Sequence, residues 1–310
     1  MTGSGTEQDP YIIQTAADLF AAAGTEGAYG LISADIDVSK DTSTTDNDGE
    51  QWRMGTARVL EIACEQLYST NAGRVAIRGL ISTAPQFIKC TREAEGGHPE
   101  LTACVLQNIE FIDCVFLRPS NGEEADIELT SDDGVTALLQ NTSFSVQMRN
   151  GDPEAARRAF LRGGRIYDSA FYAEGTPLAE DAEQSRVAGG ALFLPTSAER
   201  CNIEAHNWRF TAGGRALVEN VSRSLVLGDV TIQNGGDLLH GCASSLYAIT
   251  PTQADPDRAP QLTATACTGV NVLDSTVWGS AIPLAAPNFH RMTTEDCKDA
   301  DKLRAVGFLP

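Results

Sequence analysis

The sequence predicts an all-β protein, folded as a right-handed parallel β-helix (a solenoid) with short capping helices near both ends. From about Val59 onward, short apolar segments alternate with Gly, Asn, Asp and Ser, and helical periodicity is almost missing. Aromatic residues make up only 6% of the chain, so Val, Ile, Leu and Ala must fill the core. Thin stacked layers suit such a core better than one large aromatic centre.

A recurring pattern is the third observation that favours a solenoid. Two bulky apolar residues stand five positions apart at 111–116, 166–171, 203–208, 227–232 and 272–277, with a weaker relative at 141–146. Self-similarity without long helices is typical of solenoids, because each coil supplies similar short strands that stack on the previous coil. The uneven spacing of the units also fits a β-sandwich of irregular strands, which is the alternative fold.

Short polar residues and glycine pairs predict the corners of the coils. Asp-Ser, Asp-Cys or Gly-Asp stands between the apolar residues of several units, and such side chains can hydrogen-bond a turning backbone. Glycine tolerates the backbone of a tight corner. We therefore expect corners at these positions and at the glycine pairs 163–164, 189–190, 213–214 and 235–236.

The chain divides into three predicted parts. Residues 1–58 hold an initial strand, a capping helix and the first coil, residues 59–290 form the parallel β-helix, and residues 291–310 form a C-terminal capping segment. Charged or Pro-rich stretches predict peripheral loops at 39–51, 91–100, 119–126, 151–158, 174–186 and 251–260.

Capping signals predict the two terminal helices. Thr15 to Asp18 matches a capping box and begins an alanine-rich segment, 16–23, which Gly24 ends. A strand is predicted at 31–38, where apolar and polar residues alternate. A second capping box at 293–296 predicts a short helical segment through Leu303.

The charge balance excludes some partners. The net charge is −19, from 42 acidic and 23 basic side chains, so the surface should repel nucleic-acid phosphates. No stretch approaches the roughly 20 apolar residues that cross a bilayer. The first residues have neither the basic nor the apolar part of a secretion signal, so we expect no export by that route.

Eight cysteines are scattered along the chain without a Cys-x-x-Cys motif: Cys64, Cys90, Cys104, Cys114, Cys201, Cys242, Cys267 and Cys297. We predict that most of them are small buried hydrophobic residues. Disulfides within or between chains stay open as an alternative if the mature protein meets an oxidising environment.

Acidic residues on the repeat faces raise the question of glycoside hydrolysis: Asp113, Asp168, Glu204, Asp229 and Asp274. That reaction needs two carboxylates roughly 5 to 9.5 Å apart. Corner positions explain these residues as well, because Asp can satisfy the backbone of a turn. The structural interpretation is favoured, and low aromatic content also argues against a groove that stacks sugars.

An acidic run could bind Ca²⁺: Asp35, Asp37, Asp41, Asp46, Asp48 and Glu50. The glutamate that ends a calcium loop is missing, since position 57 is Ala57, so a solvated loop is favoured. The histidines lie too far apart for a metal site: His98, His206, His240 and His290. We therefore predict no catalytic, cofactor-binding or metal-binding residue and no cofactor.

The opening of the chain resembles a known family. The segment Gly3 to Ile13 carries Gly-Thr-x-x-Asp-Pro-Tyr-x-Ile, followed by Ala17-Asp18-Leu19 and by the strand-like segment 29–38. These motifs are similar to the first coils of right-handed β-helix proteins of tailed-virus particles and bacterial surface adhesins. The segment 294–308 resembles the part that often follows the last coil in that family. The match covers about forty residues at the front and fewer than twenty at the back.

The resemblance implies a virion structural protein of a tailed virus, either a capsid decoration or accessory protein or a tail or fibre component. It would contact the major capsid protein or other virion proteins, self-associate as a homotrimer, and be assembled in the host cytoplasm. The missing secretion signal favours this role by elimination. The alternatives are a tailspike-like depolymerase that hydrolyses or cleaves polysaccharide, and a truncated adhesin that binds a host surface glycan.

Overall fold

The computed structural model describes residues 1–38, 59–71, 73–82, 88–92, 102–116, 125–130, 136–148, 156–157, 159–174, 185–187, 193–210, 218–232, 236–253, 262–265, 267–268, 270–273 and 289–310. These residues form three sheets of 8, 13 and 8 strands, named here A, B and C.

The strands of each sheet come from successive coils, within residues 11–222 for sheet A, 36–292 for sheet B and 60–265 for sheet C. Sheet A contains β1 (Tyr11–Ile13), β2 (Tyr29–Ile32), β5 (Gln66–Tyr68), β9 (Thr102–Gln107), β12 (Thr136–Gln140), β16 (Arg165–Tyr167), β20 (Ser197–Glu199) and β23 (Val221–Ser222). Sheet B contains β3 (Ile36–Asp37), β6 (Val75–Arg78), β10 (Ile109–Phe116), β13 (Ser143–Met148), β17 (Ala170–Glu174), β21 (Asn202–Phe210), β24 (Leu225–Ile232), β26 (Leu246–Gln253), β28 (Val270–Leu273) and β29 (Phe289–Met292), with β7 (Ile81–Ser82), β14 (Ala156–Arg157) and β18 (Ser185–Val187) beside this path. Sheet C contains β4 (Leu60–Ile62), β8 (Ile88–Cys90), β11 (Ala125–Glu128), β15 (Ala159–Arg162), β19 (Phe193–Leu194), β22 (Val218–Glu219), β25 (Gly236–His240) and β27 (Leu262–Thr265).

Successive strands of the chain belong to sheets C, A and B in turn, as β8, β9 and β10 do. Each pairing between these strands is parallel. Connections between parallel strands are right-handed almost without exception. The chain is therefore an all-β, right-handed parallel β-helix, as predicted. The alternative β-sandwich, whose strands pair antiparallel, is excluded for the described strands.

Aliphatic and aromatic side chains stack from coil to coil inside the helix. Leu67, Leu106 and Leu139 occupy one row of sheet A and are fully buried. In sheet B, the ring of Phe144 stacks on Phe111 at 4.8 Å and on Phe171 at 5.5 Å between centroids. Like side chains thus repeat at the strand spacing, which produces the sequence pattern.

A helix covers the N-terminal end of the solenoid. This helix, α1, spans Ala16–Ala23 as predicted, and Thr15 Oγ1 accepts a hydrogen bond of 3.1 Å from the backbone N–H of Asp18. Leu19 on its inner face is fully buried. The carbonyl of Ala23 accepts the N–H groups of Ala63 and Cys64, so α1 is joined to the next coil.

The predicted single strand at 31–38 was wrong. Ile32 ends β2 in sheet A and Ile36 begins β3 in sheet B, with a corner between them. The N–H of Ser33 donates to the carbonyl of Ile13, and Asp35 Oδ1 accepts the N–H of Ala76 at 2.9 Å. The alternating pattern continues across this corner because both flanking strands bury every second residue.

The C-terminal segment forms a 3₁₀ helix, Asp296–Lys298, and a helix α2, Ala300–Ala305. Thr293 Oγ1 accepts the N–H of Asp296, and Asp296 Oδ2 accepts the N–H of Thr293. This reciprocal pair is the predicted capping box. The prediction of short helices near both ends is therefore confirmed.

A column of left-handed residues forms the corner between sheets A and B. These residues have φ between 46° and 70° in successive coils: Arg74, Asn108, Asn141, Asp168, Arg200, Arg223 and Ser244. The predicted corner at Asp168 is confirmed, and so is the one at 163–164, where Gly163 and Gly164 have φ of 78° and 82°. The glycine pairs at 189–190 and 213–214 lie outside the described residues, and Gly236 begins β25.

Two other pattern units were wrongly assigned to corners. Units 111–116 and 227–232 lie inside β10 and β24, and the corner predicted at Asp274 lies outside the described residues. Asp113, with φ of 53°, accompanies a register shift in β10. Bulges bend a strand without ending it, so their sequence resembles that of a corner. Four predicted loops were also partly wrong, because strands extend into them: β11 into 119–126, β14 into 151–158, β17 and β18 into 174–186, and β26 into 251–260.

Candidate functional site

Asp113 is an exposed residue at the bulge in β10 and is not part of a carboxylate pair. Its side chain is 76% exposed, and Arg78 Nη1 lies 3.7 Å from its Oδ2. The left-handed backbone at the bulge explains an aspartate at this position, because Asp tolerates such a conformation well. This supports the structural interpretation of Asp113.

Asp168 belongs to a charged cluster on the corner between sheets A and B. Arg200 from the next coil binds its carboxylate with two hydrogen bonds, of 2.6 and 3.0 Å. Glu199 binds both Arg200, at 3.0 Å, and Arg223, at 3.5 Å. The hydrogen bond from Arg200 lowers the pKa of Asp168 from its usual value. An acid held in its ionised form is poorly suited to protonate a leaving group.

Glu204 belongs to a cluster of polar side chains on sheet B that also contains His206 and Tyr172. Its Oε1 is 2.9 Å from His206 Nε2, and both side chains are about one third exposed. The imidazole ring lies 5.8 Å from the ring of Tyr172 on the preceding strand. Tyr172 and Glu204 are directly paired across β17 and β21. A tyrosine, a carboxylate and an imidazole on one face can bind hydroxyl groups of a ligand.

The structure does not place any two of the carboxylates of Asp113, Asp168 and Glu204 as a hydrolytic pair. Asp113 on β10 and Glu204 on β21 are three strand spacings apart, roughly 14 Å. Asp168 precedes β17 at the corner, four residues along the coil from the position that pairs with Glu204. Asp229 lies on β24, and Asp274 lies outside the described residues.

The remaining candidates form no metal site in the part of the chain that the structure describes. Asp35 is engaged at the corner beside β3, whereas the acidic run from position 41 to 50 and His98 lie outside the described residues. His240 lies on sheet C and His290 on β29. His240 thus lies on a different sheet from His206, and His290 lies four strands further along sheet B.

The cysteines are small core residues, as predicted. All eight are thiols, and seven are buried, with Cys297 half-buried. Burial raises the pKa of Cys64 and of Cys114 to about 12. Such thiols carry little thiolate at neutral pH and are poor nucleophiles.

The outer face of sheet A is a further surface, which sequence reasoning missed. Two outward rows follow the strand register: Tyr29, Gln66, Val105, Leu138, Arg165 and Ser197, and Ile12, Leu31, Tyr68, Gln107, Gln140, Tyr167, Glu199 and Ser222. We call these residues the sheet A face. Its two charged members are Arg165 and Glu199, on a chain with net charge −19.

A glutamine ladder lies in the middle of the sheet A face. Gln66 Nε2 donates to Gln107 Oε1 at 3.3 Å, and Gln107 Nε2 donates to Gln140 Oε1 at 3.5 Å. The signal was present in the sequence, because Val105-Leu-Gln-Asn108 and Leu138-Leu-Gln-Asn141 are near-identical. Their spacing equals one coil, so the repeat places both amides on one face.

Sheet C carries alternating charges on neighbouring strands. Glu61 pairs with Lys89, Lys89 with Glu128, and Glu128 with Arg162. Glu128 is only 4% exposed, and its Oε2 accepts hydrogen bonds from Arg162 at 2.8 Å. Desolvation raises the pKa of Glu128, opposed by Arg162. The pairing with Arg162 suggests a structural role for this carboxylate.

A cleft of about 460 Å³ separates the charged corner from the C-terminal tail. It is lined by Arg200, Cys201, Asn202, Arg223, Leu225 and residues 308–310. Both arginines are already paired with carboxylates. The cleft therefore offers little positive charge to an anionic ligand.

In comparisons with known proteins, no family model matches this chain and no curated protein matches it. Within the described residues, no helix is long and apolar enough to cross a membrane.

Proposed function

We propose that the chain is a structural protein of a tailed-virus particle, a capsid decoration protein or a tail or fibre component. It acts through protein–protein contacts and self-associates as a trimer through the sheet A face. The observation that carries the proposal is this nearly uncharged face on a strongly acidic chain. Copies with net charge −19 repel one another over most of their surface, so a low-charge face is where they can approach.

The composition of the sheet A face supports contact with protein. Tyr29, Tyr68 and Tyr167 lie on it, and tyrosine is enriched at protein interfaces. The glutamine ladder adds amide groups that can hydrogen-bond across an interface without a charge to desolvate. Because each coil adds the same rows, the face is long and continuous.

The geometry of the opening motif supports the proposal. Ser4 and Gly5 donate backbone N–H groups to the carbonyl of Asp9, and the N–H of Tyr29 donates to the carbonyl of Gly5. Gly5 has φ of 78°, and a Cβ there would collide with the ring of Tyr11. The motif residues thus build the first coil, as the resemblance implies.

The virion role is tested by quantitative mass spectrometry of purified particles from the source, with copy number measured against the major shell protein. We expect many copies for a decoration protein and a handful for a tail component. Complete absence from the particles would reject the virion role.

The trimer is tested by native mass spectrometry of the purified protein. We expect an assembly of about three times the 33.0 kDa chain mass. Gln140→Glu should shift the protein toward monomer, because the added charges meet at the interface. Asn202→Asp, an exposed residue of sheet B, adds the same charge and should leave the trimer intact. A wild-type monomer would contradict the self-association.

A polysaccharide-binding or depolymerase role is the second candidate, favoured by the Tyr172, Glu204 and His206 cluster. Soluble oligosaccharides released from host polysaccharide, and their loss in Glu204→Gln, would establish it. Binding without release, weakened by Tyr172→Phe, would instead indicate an adhesin.

A further inference from the structure

Two buried thiols meet at the internal corner between sheets C and A. Cys90 ends β8 and Cys104 lies on β9, and their Sγ atoms are 3.7 Å apart. Both residues are almost completely buried, at 1% and 0% exposure. They belong to different strands of the same coil, with residues 91–103 between them.

We propose that Cys90 and Cys104 form an oxidisable pair that becomes an intrachain disulfide when the protein meets a low-molecular-weight disulfide such as oxidised glutathione. One thiol loses its proton and attacks the oxidant, which releases one molecule of reduced glutathione and leaves a mixed disulfide. The second thiol loses its proton, displaces the second glutathione and completes the S–S bond. In total, two thiols are oxidised and one oxidant disulfide is reduced to two thiols.

The geometry distinguishes this pair from two other buried cysteines, Cys114 and Cys201, whereas Cys242 and Cys267 also contact each other, through the N–H of Cys242 and the thiol of Cys267 at 3.4 Å. A disulfide needs its sulfur atoms about 2.05 Å apart, so the pair must close by less than 2 Å. The thiols of Cys114 and Cys201 instead point to backbone carbonyls two residues earlier, at 3.4 Å. The contact of Cys201 resembles the hydroxyl contacts of Ser224 and Ser245 at equivalent corner positions, and that of Cys114 lies at the bulge in β10. Both contacts indicate a structural role.

Burial determines when the bond forms. The hydrogen bond with Cys90, together with desolvation, raises the pKa of Cys104, so the folded protein presents little thiolate to an oxidant. We expect slow oxidation of the native protein and fast oxidation during folding in an oxidising buffer. Once formed, the disulfide is equally shielded from reductants.

The bond would join two sheets in an early coil. It closes a ring that contains the whole connection from β8 to β9, which limits the freedom of that connection in the unfolded chain. For a ring of about 15 residues in a chain of this length, we expect the midpoint of thermal unfolding to rise by roughly 5 °C.

The experiment refolds the full-length chain with oxidised and reduced glutathione and, in parallel, with a phosphine reductant. We expect the oxidised sample to lose about 2 Da, the mass of two hydrogen atoms, and to give a Cys90–Cys104 peptide on non-reducing digestion. Cys114→Ser should retain the mass loss, whereas Cys90→Ala and Cys104→Ala should each abolish it.

A disulfide between other cysteines, glutathione retained on Cys90 or Cys104, or an unchanged mass after oxidative refolding would each overturn the proposal. The wild-type peptide map decides between these outcomes even if an alanine variant fails to fold. Because this test uses no virus particle and no assembly state, its result is independent of the proposed function.

Discussion

At the scale of single residues, the corner between sheets A and B depends on side chains that tolerate a left-handed backbone. Asn141 has φ of 47°, donates through Nδ2 to Asn108 Oδ1 at 2.8 Å, and accepts at Oδ1 from Arg74 Nε at 3.1 Å. One residue therefore combines a backbone requirement with hydrogen bonds to two other coils.

The two contributions of Asn141 can be separated by substitution. Asn141→Gly keeps the backbone free and loses the hydrogen bonds, at a cost of about 1–2 kcal/mol in unfolding free energy. Asn141→Ala adds the left-handed penalty and should cost about 2–3 kcal/mol. Urea denaturation measures both, with Asn202→Ala as a control on an exposed strand residue. Equal losses in the two variants would show that the backbone conformation contributes nothing.

Because of Asp168, the free energy of unfolding should depend on pH in the acidic range. Arg200 lowers its folded pKa, so the pair stabilises the fold above the ordinary pKa of Asp, about 4, and this stabilisation is lost as pH falls through the folded pKa. Both side chains are nearly half exposed, which limits the effect to under about 1 kcal/mol.

The corresponding test is the difference in unfolding free energy between wild type and Asp168→Asn, measured from pH 7 to pH 2. We expect a small destabilisation at pH 7 that disappears at low pH. A difference that persists unchanged at pH 2 would contradict an electrostatic origin.

At the scale of elements, α1 protects an end of the solenoid that would otherwise expose its core. Leu19 is fully buried against the first coil, and Ala23 accepts two N–H groups from the chain that begins the next one. Unpaired strand edges and apolar ends invite association with other chains. The helix α1 therefore protects this end of the solenoid, although it is short.

Removal of the α1 cap should weaken this end locally. Thr15→Ala loses the hydrogen bond to the N–H of Asp18 and should cost about 1 kcal/mol, whereas Thr15→Ser should cost less. Hydrogen exchange measures the effect, with faster exchange expected in α1 and β1. Faster exchange confined to the C-terminal coils would contradict this assignment.

At the scale of the whole molecule, the Phe111, Phe144 and Phe171 stack links three successive coils. Phe144→Ala should lower the unfolding free energy by about 3–5 kcal/mol through the cavity that it leaves. We expect faster hydrogen exchange in β10 and β17 on both sides of it. Leu303→Ala in α2 is the control and should leave both strands protected. A change confined to β13 would show that the coils unfold independently.

The sequence predicted the architecture better than the path of individual coils. Apolar spacing and the caps around Thr15 and Thr293 identified the β-helix and its terminal helices, because these features depend on local chemistry. The spacing could not distinguish the corner at Asp168 from the bulge at Asp113, since both need the same tolerant backbone. It also joined β2 and β3, because the apolar alternation continues through Ala34, which is exposed at the corner between them.

The candidate surfaces were predicted less well, because they depend on coil-to-coil register. Glu204 and His206 were recognised separately, whereas their contact with Tyr172 comes from the pairing of β17 and β21. The sheet A face was missed because its residues lie in eight strands from different coils. Equivalent positions become visible only once the length of each coil is known.

The parallel path of the chain also has a consequence for biosynthesis. Each coil pairs with the one made just before it, so its template already exists when the new coil leaves the ribosome. At about 5–20 residues per second, a coil of roughly 20–35 residues emerges every few seconds. The rate of translation can therefore set the order in which the coils fold, starting from the coil beneath α1.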